Sequence, residues 1–176
     1  MEIMAERVDW EEALRRHRDG VLHTAVIEAL DNEEAWAERH DLAIDSFALC
    51  GDLAEAYESF RLHLSPDARA LTDPLLGILF GSWYETPNPG DVPNDLGEDP
   101  SSDSFYASLS PERVLSLANA SDRFPEAQMD RAARACPEDV WEDCSYEEDF
   151  VPFVGQVRKL VERAAKDRRG ILITVG

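Results

Sequence analysis

The sequence predicts an α+β fold: a helix-rich single domain over residues 1–176, with a small sheet that includes the C-terminal strand. Three observations carry this. Apolar residues recur at three- and four-residue spacing through most of the chain, which is the mark of helices with one buried face. The β-branched run Ile171-Leu172-Ile173-Thr174-Val175 follows a glycine at the end of a long amphipathic segment. A chain of 176 residues with 44% hydrophobic content and four Trp can fill one core of ordinary domain size.

The elements follow in order. Trp10–Arg18 reads as a helix capped by Asp9 and ended by Gly20, and Asn32–His40 as another. Between them Val21, Leu22, Ala25, Val26, Ala29 and Leu30 share a helical face. From Asp52 to Leu64 the stripe Leu53, Ala56, Tyr57, Phe60 and Leu64 predicts a helix with Asp52 as its cap. Asp73-Pro74 opens a short buried helix through Leu75, Leu76, Ile78, Leu79 and Phe80. Residues 85–104 then form a long acidic loop with four prolines, two glycines and no Lys or Arg, read either as a solvated connection or as a lid.

The second half is more regular. Phe105–Leu109 is a strand that runs into a helix through the cap Ser110, Pro111 and Glu112. A helix over Glu126–Ala135 stops before Pro137. The acidic stretch 138–149 carries seven acids and no base, and Ser145 with Glu148 has the spacing of a capping box. The long helix that follows buries Phe150, Phe153, Val154, Val157, Leu160, Val161 and Ala164, and Gly170 ends it. Consecutive apolar residues in the last strand place it inside the sheet, covered on both faces.

Composition excludes whole classes. With 37 acidic against 17 basic residues the chain has a formal charge of -20, a field that repels nucleic-acid phosphates and anionic lipid and favours a basic partner. The longest near-apolar run, Leu75 to Tyr84, is well short of the roughly 20 residues a membrane helix needs, and the acidic start lacks a signal-peptide pattern. A cytoplasmic protein with Cys50, Cys136 and Cys144 reduced is expected.

The order of several segments carries a family resemblance. Asp52-Leu-Ala-Glu-Ala-Tyr-Glu-Ser-Phe-Arg-Leu-His-Leu-Ser65, Asp73-Pro-Leu-Leu76, Phe105-Tyr-Ala-Ser-Leu-Ser-Pro-Glu-Arg-Val114 and the closing Ile171-Leu-Ile-Thr-Val-Gly176 together resemble the YfbM-like family of small bacterial cytoplasmic proteins of unknown function. The resemblance covers roughly residues 52–176 and implies a sheet flanked by helices, with no assigned activity. Where members of that family carry Trp followed by Leu-His, this chain has Tyr57, Phe60 and Arg61, and no site residue is carried over. The opening strand that the family implies is not legible in the first 50 residues, which read as divergent.

No catalytic or metal signature stands out. Cys50 precedes a helix start, yet most such cysteines are small buried residues, and Ser82 lacks the glycine arrangement of a nucleophile elbow. His17, His23, His40 and His63 fit no zinc spacing, the acids of 85–104 lack the register of a calcium loop, and no phosphate-binding glycine loop is present. No cofactor or metal is expected. The leading expectation is therefore a non-enzymatic acidic module for a basic protein partner, with Trp83, Tyr84 and Trp141 as aromatic anchors beside Asp95, Glu98 and Asp99. The bland alternative puts those aromatics in the core. A second functional reading is a small enzyme with an acidic pocket under the 85–104 loop, acting on a cationic or polyol-like molecule.

Overall fold

The computed structural model describes residues 2–22, 43–77, 93–97 and 106–175, built around one antiparallel sheet. Its strands are β1 (Glu2–Val8), β2 (Ala43–Cys50), β3 (Tyr106–Leu109) and β4 (Gly170–Val175), in the order β2-β1-β4-β3. The last strand is interior, as its unbroken apolarity implies: it pairs with β1 from Ile3↔Val175 to Val8↔Gly170, and with β3 on its other side. β1 and β2 correct the reading of the first 50 residues, because an opening strand is present and lies at the centre of the sheet. Glu6 and Arg7 interrupt its apolar pattern, and its pairing partners are remote in sequence.

The helices are α1 (Trp10–Arg18), α2 (Gly51–Arg61), α3 (Pro66–Thr72), α4 (Pro111–Ser121), α5 (Glu126–Ala135) and α6 (Val151–Lys166). Short turns fill the joints: π-helical at Asp73–Gly77 and Tyr146–Phe150, and 3₁₀ at Glu138–Trp141. Asp9 caps α1 by accepting from the Glu12 N–H, while Gly20, in the left-handed region at φ +68°, closes its far end. Asp52 is not a cap: α2 begins one residue earlier, and Asp52 is an exposed acid in its first turn. The stripe Leu53, Ala56, Tyr57 and Phe60 is buried as expected, with Leu64 buried in the turn beyond. Leu75 and Leu76 are buried in the first π-helical turn. The expected helix over 32–40, nearly all of the helical face over 21–30, and Ile78, Leu79 and Phe80 lie outside the described residues.

Ser145 keeps its capping role in a modified form. Its hydroxyl accepts from the Glu148 N–H, but in the reciprocal bond its own N–H donates to the Asp149 carboxylate. The π-helical turn widens the first loop of chain, so the returning acid sits one residue later than in an α-helical box. Pro152 falls in the first turn of α6 directly after the π-helical turn, so its lack of an N–H removes one donor from a continuous helical run. At the far end Arg168, not glycine, adopts the left-handed conformation at φ +54°. The Arg168 and Arg169 N–H groups bond back to the Ala165 and Ala164 carbonyls. Gly170 serves another purpose: a Cβ there would strike the Trp10 ring and stand 2.9 Å from the Leu109 carbonyl oxygen.

Both faces of the sheet are buried. Ala5, Ala107, Leu109, Ile171 and Ile173 join the main core with α2, α4 and α6, where Phe60, Val114 and Ala164 are fully enclosed. On the opposite face Val8 and Leu172 pack with Ala13, Leu22 and Leu96. Burial of this kind, at about 25 cal/mol per Å² of apolar surface, is the main stabilising term.

Candidate functional site

Of the residues expected to bind a partner, Trp83, Tyr84, Glu98 and Asp99 lie outside the described residues. Asp95 is described, and its carboxylate is engaged within the fold. It takes a two-pronged bond from Arg113 Nε and Nη2 at 2.7–3.0 Å and accepts the Ser110 N–H at 2.8 Å. These donors, Arg113 first, hold its pKa down at about 2. The stretch 93–97 is thereby seated on β3. Asn94 bridges Ser108, the Ser108 N–H bonds the Pro93 carbonyl, and the Asp95 N–H bonds the Ser108 carbonyl. Ser108 Oγ accepts the Leu96 N–H and donates to Asn94 Oδ1, and Leu96 enters the core. The middle of the 85–104 loop therefore covers the outer side of β3, an edge strand whose backbone groups would otherwise stay open.

Trp141 lies where the acidic segment meets the core. It is half-buried, with its ring 5.2 Å from Phe60, 5.3 Å from Tyr146 and 5.5 Å from Phe150, and its indole N–H finds no acceptor among the described residues. Tyr146 and Phe150 stack at 5.6 Å, as do Tyr57 and Phe150. Such ring contacts fix the path of 138–149, a stretch that otherwise has only short turns to hold it. Asp139, Glu142, Asp143, Glu147 and Glu148 on that stretch are all exposed, and none has a cationic partner among the described residues.

Five of the arginines are engaged elsewhere in the fold. Arg7 pairs with Asp167, Arg61 with Asp73, Arg113 with Asp95, Arg158 with Glu126 and Arg169 with Asp9, each joining two separate parts of the chain. Those pairings leave the acidic segment as a surface of uncompensated charge.

Beside it runs a groove that sequence reasoning missed. One face of α5, with Glu126, Met129, Asp130 and Ala133, opposes one face of α6, with Val151, Val154, Gly155 and Arg158. Two adjoining hollows of about 280 and 350 Å³ share Asp130, Tyr146 and Val151. The floor is apolar, with Phe150 and Met129 beneath, while Val151 remains 46% exposed. Tyr146 donates to Asp130 Oδ1 at 2.9 Å, and burial together with that carboxylate pushes the phenol pKa up, keeping it a donor. Arg158 closes one end by bonding Ser121 Oγ at 3.0 Å, pairing with Glu126 and lying over the Phe124 ring. Gly155 is exceptional for a helix interior: glycine there costs about 1 kcal/mol relative to alanine, and a Cβ at this position would meet nothing within 4 Å. The signal was available in the sequence as a lone glycine inside a helical pattern.

A second overlooked residue is Glu6. It stands on central β1 at 7% exposure, and burial raises its pKa to about 7. Cys136 is a half-buried thiol donating to the Ala133 carbonyl, in no nucleophilic arrangement with a base. Among the described residues no three His, Cys, Asp or Glu side chains converge to hold a metal, and no described helix is long and apolar enough to cross a membrane. No family model matches the chain, and no curated protein or solved structure matches it.

Proposed function

We propose that the protein is a non-enzymatic acidic interaction module that binds a basic protein partner, in the manner of an immunity or inhibitor protein. One observation carries the reading: the carboxylates of Asp139, Glu142, Asp143, Glu147 and Glu148 are exposed and uncompensated on a stretch held by the Trp141 ring cluster, while arginines elsewhere pair with acids inside the fold. A rigid patch of one sign loses little ordering entropy on binding, speeds encounter with an oppositely charged surface and disfavours acidic competitors. A cytoplasmic location and membership of the YfbM-like family belong to the same proposal, the latter resting on the order of the segments quoted above. Trp141 contributes as a half-exposed anchor at the edge of the patch.

The test is affinity capture from host lysate at low and at physiological salt, comparing the natural chain with D139N/E142Q/D143N. A stoichiometric basic protein that the natural chain retains at low salt and the variant releases is the expected result. Recovery of the chain alone under both conditions, or equal capture by the variant, overturns the reading.

A further inference from the structure

We propose that the groove between α5 and α6 seats a basic amphipathic helix of the partner protein, laid across Gly155. This rests on the acidic segment being a partner-binding surface and adds where the partner's apolar side chains go. Gly155 is the starting point. It weakens α6, and among the described residues no packing requires it, since a Cβ would enter open space. A glycine that the folded chain does not need, on the wall of an apolar groove, suits close approach of another backbone. Small residues at a helix crossing let two axes come together in this way.

The groove's composition sets the rest. Val151, Val154 and Met129 offer apolar contact for side chains at helical spacing; Asp130, Glu147 and Arg134 line the rim on the side of the acidic segment, where the further exposed acids of 138–149 tip the balance of charge to negative. An occupant that matches has apolar residues on one face and Lys or Arg flanking them, a pattern read as i, i+3, i+4, i+7. An extended segment matches poorly. Both walls are helices whose backbone groups are already bonded, so its N–H and C=O groups would gain no ladder. A second copy of this chain brings another charge of -20 to the same acidic rim, which opposes self-association.

The test uses calorimetric titration with two synthetic peptides of identical Leu, Lys and Ala composition, one an amphipathic helix and one scrambled. The helix is expected to bind at least about tenfold more tightly than the scrambled peptide, and Gly155→Leu, which fills the groove, to remove that advantage. Gly155→Leu should fold, because it exchanges a poor helix former for a good one over open space. D139N/E142Q/D143N should weaken both peptides alike. Backbone amide shifts in the natural protein give a readout independent of variants, and shifts concentrated on α5 and α6 are expected. Equal binding of the two peptides, unaltered binding by Gly155→Leu, or shifts away from these helices overturns the groove as the seat while the acidic reading stands. Binding of neither peptide at low salt overturns both. A dimer of the natural chain that Gly155→Leu dissociates also overturns the proposal, with a second copy as the occupant.

Discussion

Glu6 shows what a single ionisable group does to a folded chain. Its folded pKa of about 7 lies above the ordinary 4.5, because the buried site favours the neutral acid. Below pH 4.5 both folded and unfolded chains hold the proton, and the residue contributes no pH dependence. Between 4.5 and about 7 the unfolded chain ionises first, so stability falls as the pH rises, by about 3 kcal/mol in all, and levels off above that window. Glu6→Gln should flatten this part of a denaturant-midpoint series and leave the variant the more stable protein above pH 7; an unchanged slope would place the titration elsewhere. Asp95 works in the opposite sense. Its stabilisation is present above 3.8 and is lost as the pH drops through about 2. Arg168 pays for its left-handed backbone without a glycine's freedom. Arg168→Gly should therefore raise stability by about 1 kcal/mol, read as an upward shift in Tm, and a drop would show that the arginine side chain supports the α6 end.

At the scale of elements, the seat of 93–97 on β3 depends on one hydroxyl. Ser108→Ala leaves the Leu96 N–H without an acceptor and Asn94 Oδ1 without a donor, a cost of about 1–3 kcal/mol. Amide exchange should report the Leu96 N–H opening before the sheet does, whereas protection equal to that of the natural chain would mean that Asp95 and Arg113 hold the segment alone. Elements set by local chemistry are legible in the sequence: α1 and α5 are read with their observed bounds and α4 with its observed start, since Asp9, Ser110 and Pro137 act within a few residues. The same grammar sat unread at Ser65-Pro66-Asp67, where the Ser65 hydroxyl caps α3. β1 was illegible for a different reason. Its identity as a strand comes from partners far along the chain, and a strand enclosed on both faces that carries Glu6 and Arg7 shows neither alternation nor an unbroken apolar run. The groove was hidden likewise, because it exists only once α5 and α6 face each other; Asp95 looked free until Arg113 was placed beside it.

For the whole molecule the dominant quantity is a charge of -20 that the fold distributes unevenly. Arginine pairs clamp distant parts of the chain together, and among the described residues 138–149 is a stretch of seven acids with no base. Self-repulsion of this size opposes compactness, so added sodium chloride should raise Tm by about a few degrees through screening alone, with most of the gain reached by physiological ionic strength. A Tm that falls with salt would show that the internal ion pairs outweigh the repulsion. The same surplus should keep the chain dispersed at neutral pH and bring it toward precipitation near its isoelectric point of about 4.4.

The pairing of β1 with β4 also governs how the molecule is made. Ile3 leaves the ribosome long before Val175, yet the two are partners in the sheet. At about 5–20 residues per second, translation of this stretch takes on the order of 10–30 seconds. Throughout that interval β1 has only β2 to pair with, and the side destined for β4 is a bare template for any passing nascent strand. Closure of the sheet then waits for β4, and the protein's yield in the cell depends on how well that open edge is shielded until β4 has emerged.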